Sequence, residues 1–467
     1  MLFNILHPTD LVPVACIALL AWLLYQSCKP SYLLGLPIIG LKEGKWFFPT
    51  LHRAWKNAWN FRGVMHETYD KYPDEPVIVP TLTSTWVLLP SKDTQWLADR
   101  PESELSMHQQ LADVFQTDYT VMDSDLVHRP FHHPLIVTTL TSQVGNLVPD
   151  VIDEAAWMFA QQWGTNTDEW KEVSVYETMR HIVNSATNRV FVGLPACRDP
   201  VLADAGMGYA QDVPVSGALL RCLPRWIKPF LAPLITLRGR YRTHRFCNRI
   251  KPTIERRLRD FNARRADPEA NKRLGPPPND WLQWSIAQAK DIGDPTLWRP
   301  RKLGERILLL LFAAIHTTSF TITEAILDLV CHNKPEHIAG LREEISAVLA
   351  EHGGEWNKRS LAKMVRLDST LRESMRLNSL MLMGLGRKVT AQDGLDTPSG
   401  VHVPRGATVM VPSYSVLHDK AVYGEDAEEY RPFRFAEQRS DQNVGYVERA
   451  RKAFPTTSKE YLAFGHG

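Results

Sequence analysis

The sequence offers little to a metal ion or a disulfide. Six cysteines (Cys16, Cys28, Cys197, Cys222, Cys247 and Cys331) are scattered over 467 residues with no Cys-x-x-Cys pair and no metal-type spacing. Two of them lie in or beside an N-terminal apolar run, so no disulfide framework is expected and the body of the protein reads as reduced and cytosol-facing. Charge of one sign is missing as well. The 54 basic residues offset 52 acidic ones to a formal +2, which excludes the basic footprint of a nucleic-acid binder. No internal repeat and no low-complexity tract breaks the chain up.

What is present is an ordinary globular composition, 44% apolar and 23% charged, on a chain long enough for a large core. The stretch Leu11 to Tyr25 holds fifteen residues without a charge, and Leu2, Phe3, Ile5 and Leu6 extend it upstream across Asp10. Counted from Leu2 the run reaches the roughly 20 residues of a spanning helix. A cleaved leader would need basic residues before the run and a small-residue site after it. Here the start is uncharged, and Lys29, Lys42 and Lys45 follow on the far side. The reading is a retained membrane anchor over 1–28, single-pass, with the body in the cytosol; a cleaved or peripheral leader is the competing one. Residues 29–50, with Pro30, Gly35, Pro37 and Gly40, form a turn-rich connector, and 51–467 form one large domain.

Within that domain, Pro76 to Pro90 is β-branched and alternating and predicts a strand pair. Helical patterns follow over Val151–Trp163, Val173–Val192 and Arg238–Arg265, then a loop at Arg273–Asp280. Lys302 to Cys331 runs without proline and predicts a helix of about 45 Å. Two more helices are expected over 332–354 and 358–378, and Gly400 to Pro412 reads as strand. The fold class is therefore mainly α with a minor β-sheet.

The long helix carries nine apolar residues, Ile307 to Ile315, expected to be buried all round. His316, Thr317, Thr318 and Ser319 follow at once. Hydroxyls in a buried helix bond back to carbonyls four residues earlier, or else line a groove where a small ligand or water is handled. Glu373 and Arg376 sit at i and i+3, close enough to pair. The same spacing recurs at Glu177/Arg180, Glu428/Arg431 and Glu448/Arg451, and a surface ion pair is its usual meaning. Order distinguishes the first pair. Arg387, the run "VPRGATVMV", His418, "YRPFRF" (Tyr430 to Phe435) and "AFGHG" follow it in turn.

In that order the sequence resembles the cytochrome P-450 haem-thiolate monooxygenases over essentially the whole chain. "AAIHTTS" resembles the oxygen-handling segment of the family's central helix, and Glu-Ser-Met-Arg its Glu-x-x-Arg element. Pro432-Phe433-Arg434-Phe435 resembles its Pro-x-Arg-Phe element. Phe464, Gly465, His466 and Gly467 are similar to the opening of its Phe-x-x-Gly-x-x-x-Cys-x-Gly haem loop. The anchor and connector resemble those of microsomal members, and the His-Thr-Thr-Ser and Phe-Gly-His-Gly forms those of fungal members acting on terpenoid or meroterpenoid secondary metabolites.

The resemblance implies a P-450-like catalytic domain, with haem as cofactor and NADPH electrons delivered by a partner reductase. It also implies an apolar small-molecule substrate, O2 as oxygen source and residence in the endoplasmic reticulum membrane. It implies roles for residues: Thr317 and His316 in catalysis, and Arg387, Arg129, His133, Phe464, Gly465 and Gly467 in holding haem. Glu373, Arg376 and Arg434 would form a buried structural network. His316 stands where most members place an acid, and Ala314 where they place glycine. No Trp-x-x-x-Arg element is read on the family's helix that carries it; Arg129 is the only arginine between Pro101 and Met179, with His132 and His133 beside it. The axial cysteine is expected four residues after Gly467. A chain without it would be incomplete at its C-terminus, a catalytically inactive truncated paralogue.

Overall fold

A computed structural model of the chain describes residues 35–39, 54–55, 57–81, 83–130, 132–267 and 269–466. The anchor, most of the connector and Gly467 lie outside the described residues. The first half of the chain supplies strands β1 (Val77–Pro80), β2 (Thr85–Leu88) and β3 (Leu105–Ser106). Five principal helices follow: α1 (Met107–Phe115), α2 (Thr141–Trp163), α3 (Val175–Val192), α4 (Pro200–Arg221) and α5 (Leu237–Ala266). The second half contributes α6 (Pro300–Cys331) and α7 (Val365–Leu377), then strands β4 (Gly384–Val389), β5 (Leu395–Asp396), β6 (His402–Val403) and β7 (Thr408–Val411), and last α8 (Arg434–Ser440).

The strand pair expected at Pro76 to Pro90 is an antiparallel hairpin with Val77 opposite Leu88. It joins a five-stranded sheet of order β1-β2-β7-β4-β3, in which only the β2–β7 contact is parallel. The single strand expected over Gly400–Pro412 is two, because Pro404, Arg405 and Gly406 turn the chain between β6 and β7. The helix expected over 358–378 is likewise divided. Met364 leaves the helical region at φ −81°, ψ 69°, between Lys358–Lys363 and α7. α2 starts at Thr141, ten residues before the expected Val151, and runs through Pro149.

α6 begins at Pro300 rather than Lys302, since proline at the first helical position gives up an N–H that would have no partner anyway. It packs against α3, α4 and α5. Leu303, Ile307, Leu308, Leu310, Leu311 and Ile315 are its buried contribution to the largest apolar cluster, with Phe246, Ile250 and Trp281 around them. By length and composition α6 and the stretch His132–Trp163 are apolar enough to cross a membrane, but α6 is the core helix of this domain. One expectation fails on it. Ala313 is exposed inside the apolar stretch expected to be buried all round, as are Thr317 and Thr318 just beyond. The sequence period could not show which face a neighbour leaves open.

Candidate active site

Glu373 and Arg376 lie one turn apart on α7 and are wholly buried. The carboxylate accepts two bonds from Arg376, Nε to Oε2 at 2.8 Å and Nη2 to Oε1 at 2.9 Å. Arg434, the first residue of α8, donates from Nε to the same Oε1 at 3.0 Å. Backbone takes much of what remains: Arg376 Nη1 donates to the carbonyls of Leu417 and Ala427 at 2.8 and 2.6 Å, and Arg434 Nη2 to that of Asp426 at 2.8 Å. The structure thus brings these three residues together. It also adds Asp426, which accepts from Arg434 Nη1 at 2.9 Å and was missed in the sequence. Two arginines, Arg431 and Arg434, hold the Asp426 carboxyl well below its ordinary value, at about 2.

The competing spacings do something else. Glu177–Arg180 is a pair with a half-exposed carboxylate. Arg431 turns from Glu428 to Asp426 and Glu437.

On α6, the Thr317 hydroxyl donates back to the carbonyls of Ala313 at 2.9 Å and Ala314 at 3.3 Å, yet the side chain stays exposed. His316, one residue earlier, is turned to a different face. Its Nδ1 lies 3.5 Å from the Tyr176 hydroxyl of α3, and the buried ring also faces the Ala210 backbone of α4. Burial pushes the imidazole below its ordinary value, so it is neutral at neutral pH.

Arg387 lies two residues past Leu385, whose φ of +52° and the register shift beside it mark a bulge in β4. Such a bulge re-aims the side chains that follow. The guanidinium is half-buried, its one hydrogen bond among the described residues going to the adjacent Gly386 carbonyl at 3.2 Å, and burial lowers its pKa. The nearest acid it feels is Glu102, which accepts from His108 at 2.8 Å. The His108 ring lies 5.3 Å from that of His133, and His133 lies 5.7 Å from His132. His132 Nδ1 is buried and has no partner among the described residues. Burial first, then the neighbouring His133, Arg306 and His108, push it down to about 4. Glu102, His108 and Arg306 were missed, being scattered over three elements with no shared spacing. Arg129 is not in this group; it is mostly exposed and pairs with Asp125 at 3.4 Å.

The chain returns to β4 at its C-terminal end. Gly465 has φ +82°, a conformation that favours glycine, and a Cβ there would sit 4.0 Å from Leu385. Phe464 is half-exposed and edge-on to Phe454 at 5.2 Å, and His466 is held by Thr457 at 3.1 Å. The sequence reading also passed over a Trp-x-x-x-Arg spacing at Trp96 and Arg100. There Arg100 lies 4.9 Å over the Trp96 ring and pairs with Glu104.

The sequence profile described as Cytochrome P450 matches residues 96–467. The chain belongs to the cytochrome P450 family. Cytochrome P450 monooxygenase 71 of Postia placenta is 31% identical over 457 residues, covering 97% of this chain and 86% of that one. The gloP monooxygenase of Glarea lozoyensis is 31% identical, covering 92% of this chain and 80% of its own. The astC monooxygenase of Aspergillus terreus is 28% identical over 93% of this chain and 81% of its own.

This P450 is an enzyme whose cofactor is haem and whose electrons come from a reductase. The residues present fit that group. Haem carries two carboxylates, and the structure provides a half-buried arginine that is in no ion pair, and a buried imidazole nitrogen that has no partner, among the described residues. It also presents a face of small side chains, Ala313 and Thr317, on the central helix. The position expected for the axial cysteine lies past Gly467, outside the described residues.

Proposed function

We propose that this P450 inserts one atom of O2 into an apolar small molecule of terpenoid or meroterpenoid type, and that residues 1–28 anchor it in the endoplasmic reticulum membrane. The observation that carries the reading is the open face at Ala313 and Thr317 on an otherwise core-facing helix. Bound haem would supply the oxidising chemistry on O2, with electrons relayed from NADPH by a partner reductase. The chain's own residues bind, orient and handle protons. Arg387 and His132 would grip the propionates, with His133 beside them, because a guanidinium meets a carboxylate with two parallel bonds. Phe464 and Gly465 would shape the loop beneath the ring. Thr317 would hand protons to the oxygen side from a hydroxyl already fixed by Ala313. His316 would relay protons from the Tyr176 side, as a neutral imidazole ready to accept one. Glu373, Arg376 and Arg434 would hold the scaffold behind the site.

The reading is tested by reconstituting the full-length protein with haem, reductase and NADPH. A terpenoid panel is offered, and incorporation of labelled O2 is followed by mass spectrometry. One labelled atom per product is expected, with Thr317→Val lowering product formed per NADPH by about 10²-fold. Unlabelled product, or no change in the Thr317 variant, would sink the assignment.

A further inference from the structure

A cavity of about 700 Å³ opens beside β4, with Lys388 in its lining and Arg387 outside it, within the size range of small-molecule sites. Successive strand residues point to opposite faces, so β4 sends Arg387 one way and Lys388 the other, into this cavity's wall. Arg221, Arg225 and Lys228 line it too, with Asp113 and Asp118 as the only carboxylates. Those two acids are already engaged. Asp113 pairs with Lys388, and Asp118 meets His128 at 2.9 Å. Arg221, Arg225 and Lys228 have no carboxylate partner among the described residues, and Arg221 Nε is buried with none of any kind.

Lys228 instead donates at 2.6 Å to the side chain of Gln116, a residue held in the left-handed region at φ +49°. Burial, and then the like charge of Arg225, push its ammonium below the ordinary value, and burial does the same to Arg221. A cation at the end of α4 suits the helix dipole, but that accounts for Arg221 alone and not for three. Leu223 and Ala407 add an apolar wall, and Trp226, Phe230 and Leu234 stand exposed on the segment that carries Arg225 and Lys228.

We propose that this cavity is a binding site for an oxyanion, a carboxylate or phosphate group carried by an apolar molecule. Two guanidiniums and an ammonium with no acid of their own would take up the anion, and the neighbouring apolar side chains would take the tail. The test of this site reads binding alone.

Calorimetric titration of the full-length protein compares dodecyl phosphate with uncharged dodecanol. Co-sedimentation compares vesicles of phosphatidylcholine with and without phosphatidylglycerol. Dodecyl phosphate is expected to bind saturably, about tenfold or more tighter than dodecanol, and Arg225→Glu or Lys228→Gln to weaken it about tenfold. Arg221→Gln should do the same, but its half-buried position makes the exposed Arg225 the deciding variant. Charge-dependent binding of the monomeric amphiphile supports a soluble ligand. Charge dependence seen only with phosphatidylglycerol vesicles supports a lipid headgroup. Equal affinity for phosphate and alcohol in every arm, or an affinity untouched by all three substitutions, overturns the proposal.

Discussion

Glu373 faces two guanidiniums with one carboxylate, all three groups being buried. Removing its charge strands both arginines away from water. Glu373→Gln should therefore lower unfolding free energy by about 3–5 kcal/mol in denaturant titration; a loss under about 1 kcal/mol would mean the backbone carbonyls suffice. His132 gives a pH dependence of definite sign. Its folded value of about 4 lies below the ordinary imidazole value, near 6.5. Between those two values the unfolded chain binds more protons, so stability of the porphyrin-free protein falls as pH drops through that window. His132→Gln should flatten this part of the profile. Docking a carboxylate-bearing porphyrin should flatten it too, by raising the imidazole's pKa. A profile unchanged by the substitution would place the titration elsewhere.

At the scale of elements, α4 lies so close to the end of α1 that Gly217 has no room for a side chain. A Cβ there would stand 2.7 Å from the Phe115 carbonyl oxygen and 2.9 Å from its carbon, and backbone cannot swing aside. Gly217→Ala should destabilise by about 1–3 kcal/mol. Gly206→Ala, whose tightest contact is the flexible tip of Leu311 at 3.0 Å, with the Phe246 ring at an ordinary 3.5 Å, should do less; the reverse ranking in thermal melts would refute this packing.

Elements were legible where period and punctuation agree. The Pro76–Pro90 hairpin and α5 fall where composition puts them, even with Pro252 inside the helix. The division at Met364 was invisible because neither proline nor glycine marks it. Site residues were legible where they cluster in a motif, as Glu373, Arg376 and Arg434 do. Asp426 and Glu102 were hidden because their meaning depends on neighbours the chain brings from elsewhere.

For the whole molecule, the sequence sets the uncharged run Leu11 to Tyr25 apart from the body by a turn-rich connector with Pro30, Gly35, Pro37 and Gly40. Deleting residues 1–28 should then leave the unfolding midpoint unchanged while releasing the protein from membranes on carbonate extraction. A truncated chain that stays in the membrane pellet would shift the attachment to the body, with Trp226 and Phe230 the first side chains to test.

The buried network has one more consequence, for how the sequence can drift. Arg376 and Arg434 grip the segment from Leu417 to Glu429 largely through main-chain carbonyls: those of Leu417, Tyr423, Asp426, Ala427 and Glu429. A carbonyl is the same whatever side chain it carries. Apart from Asp426, that stretch is free to exchange its surface residues over generations while two arginines keep its shape.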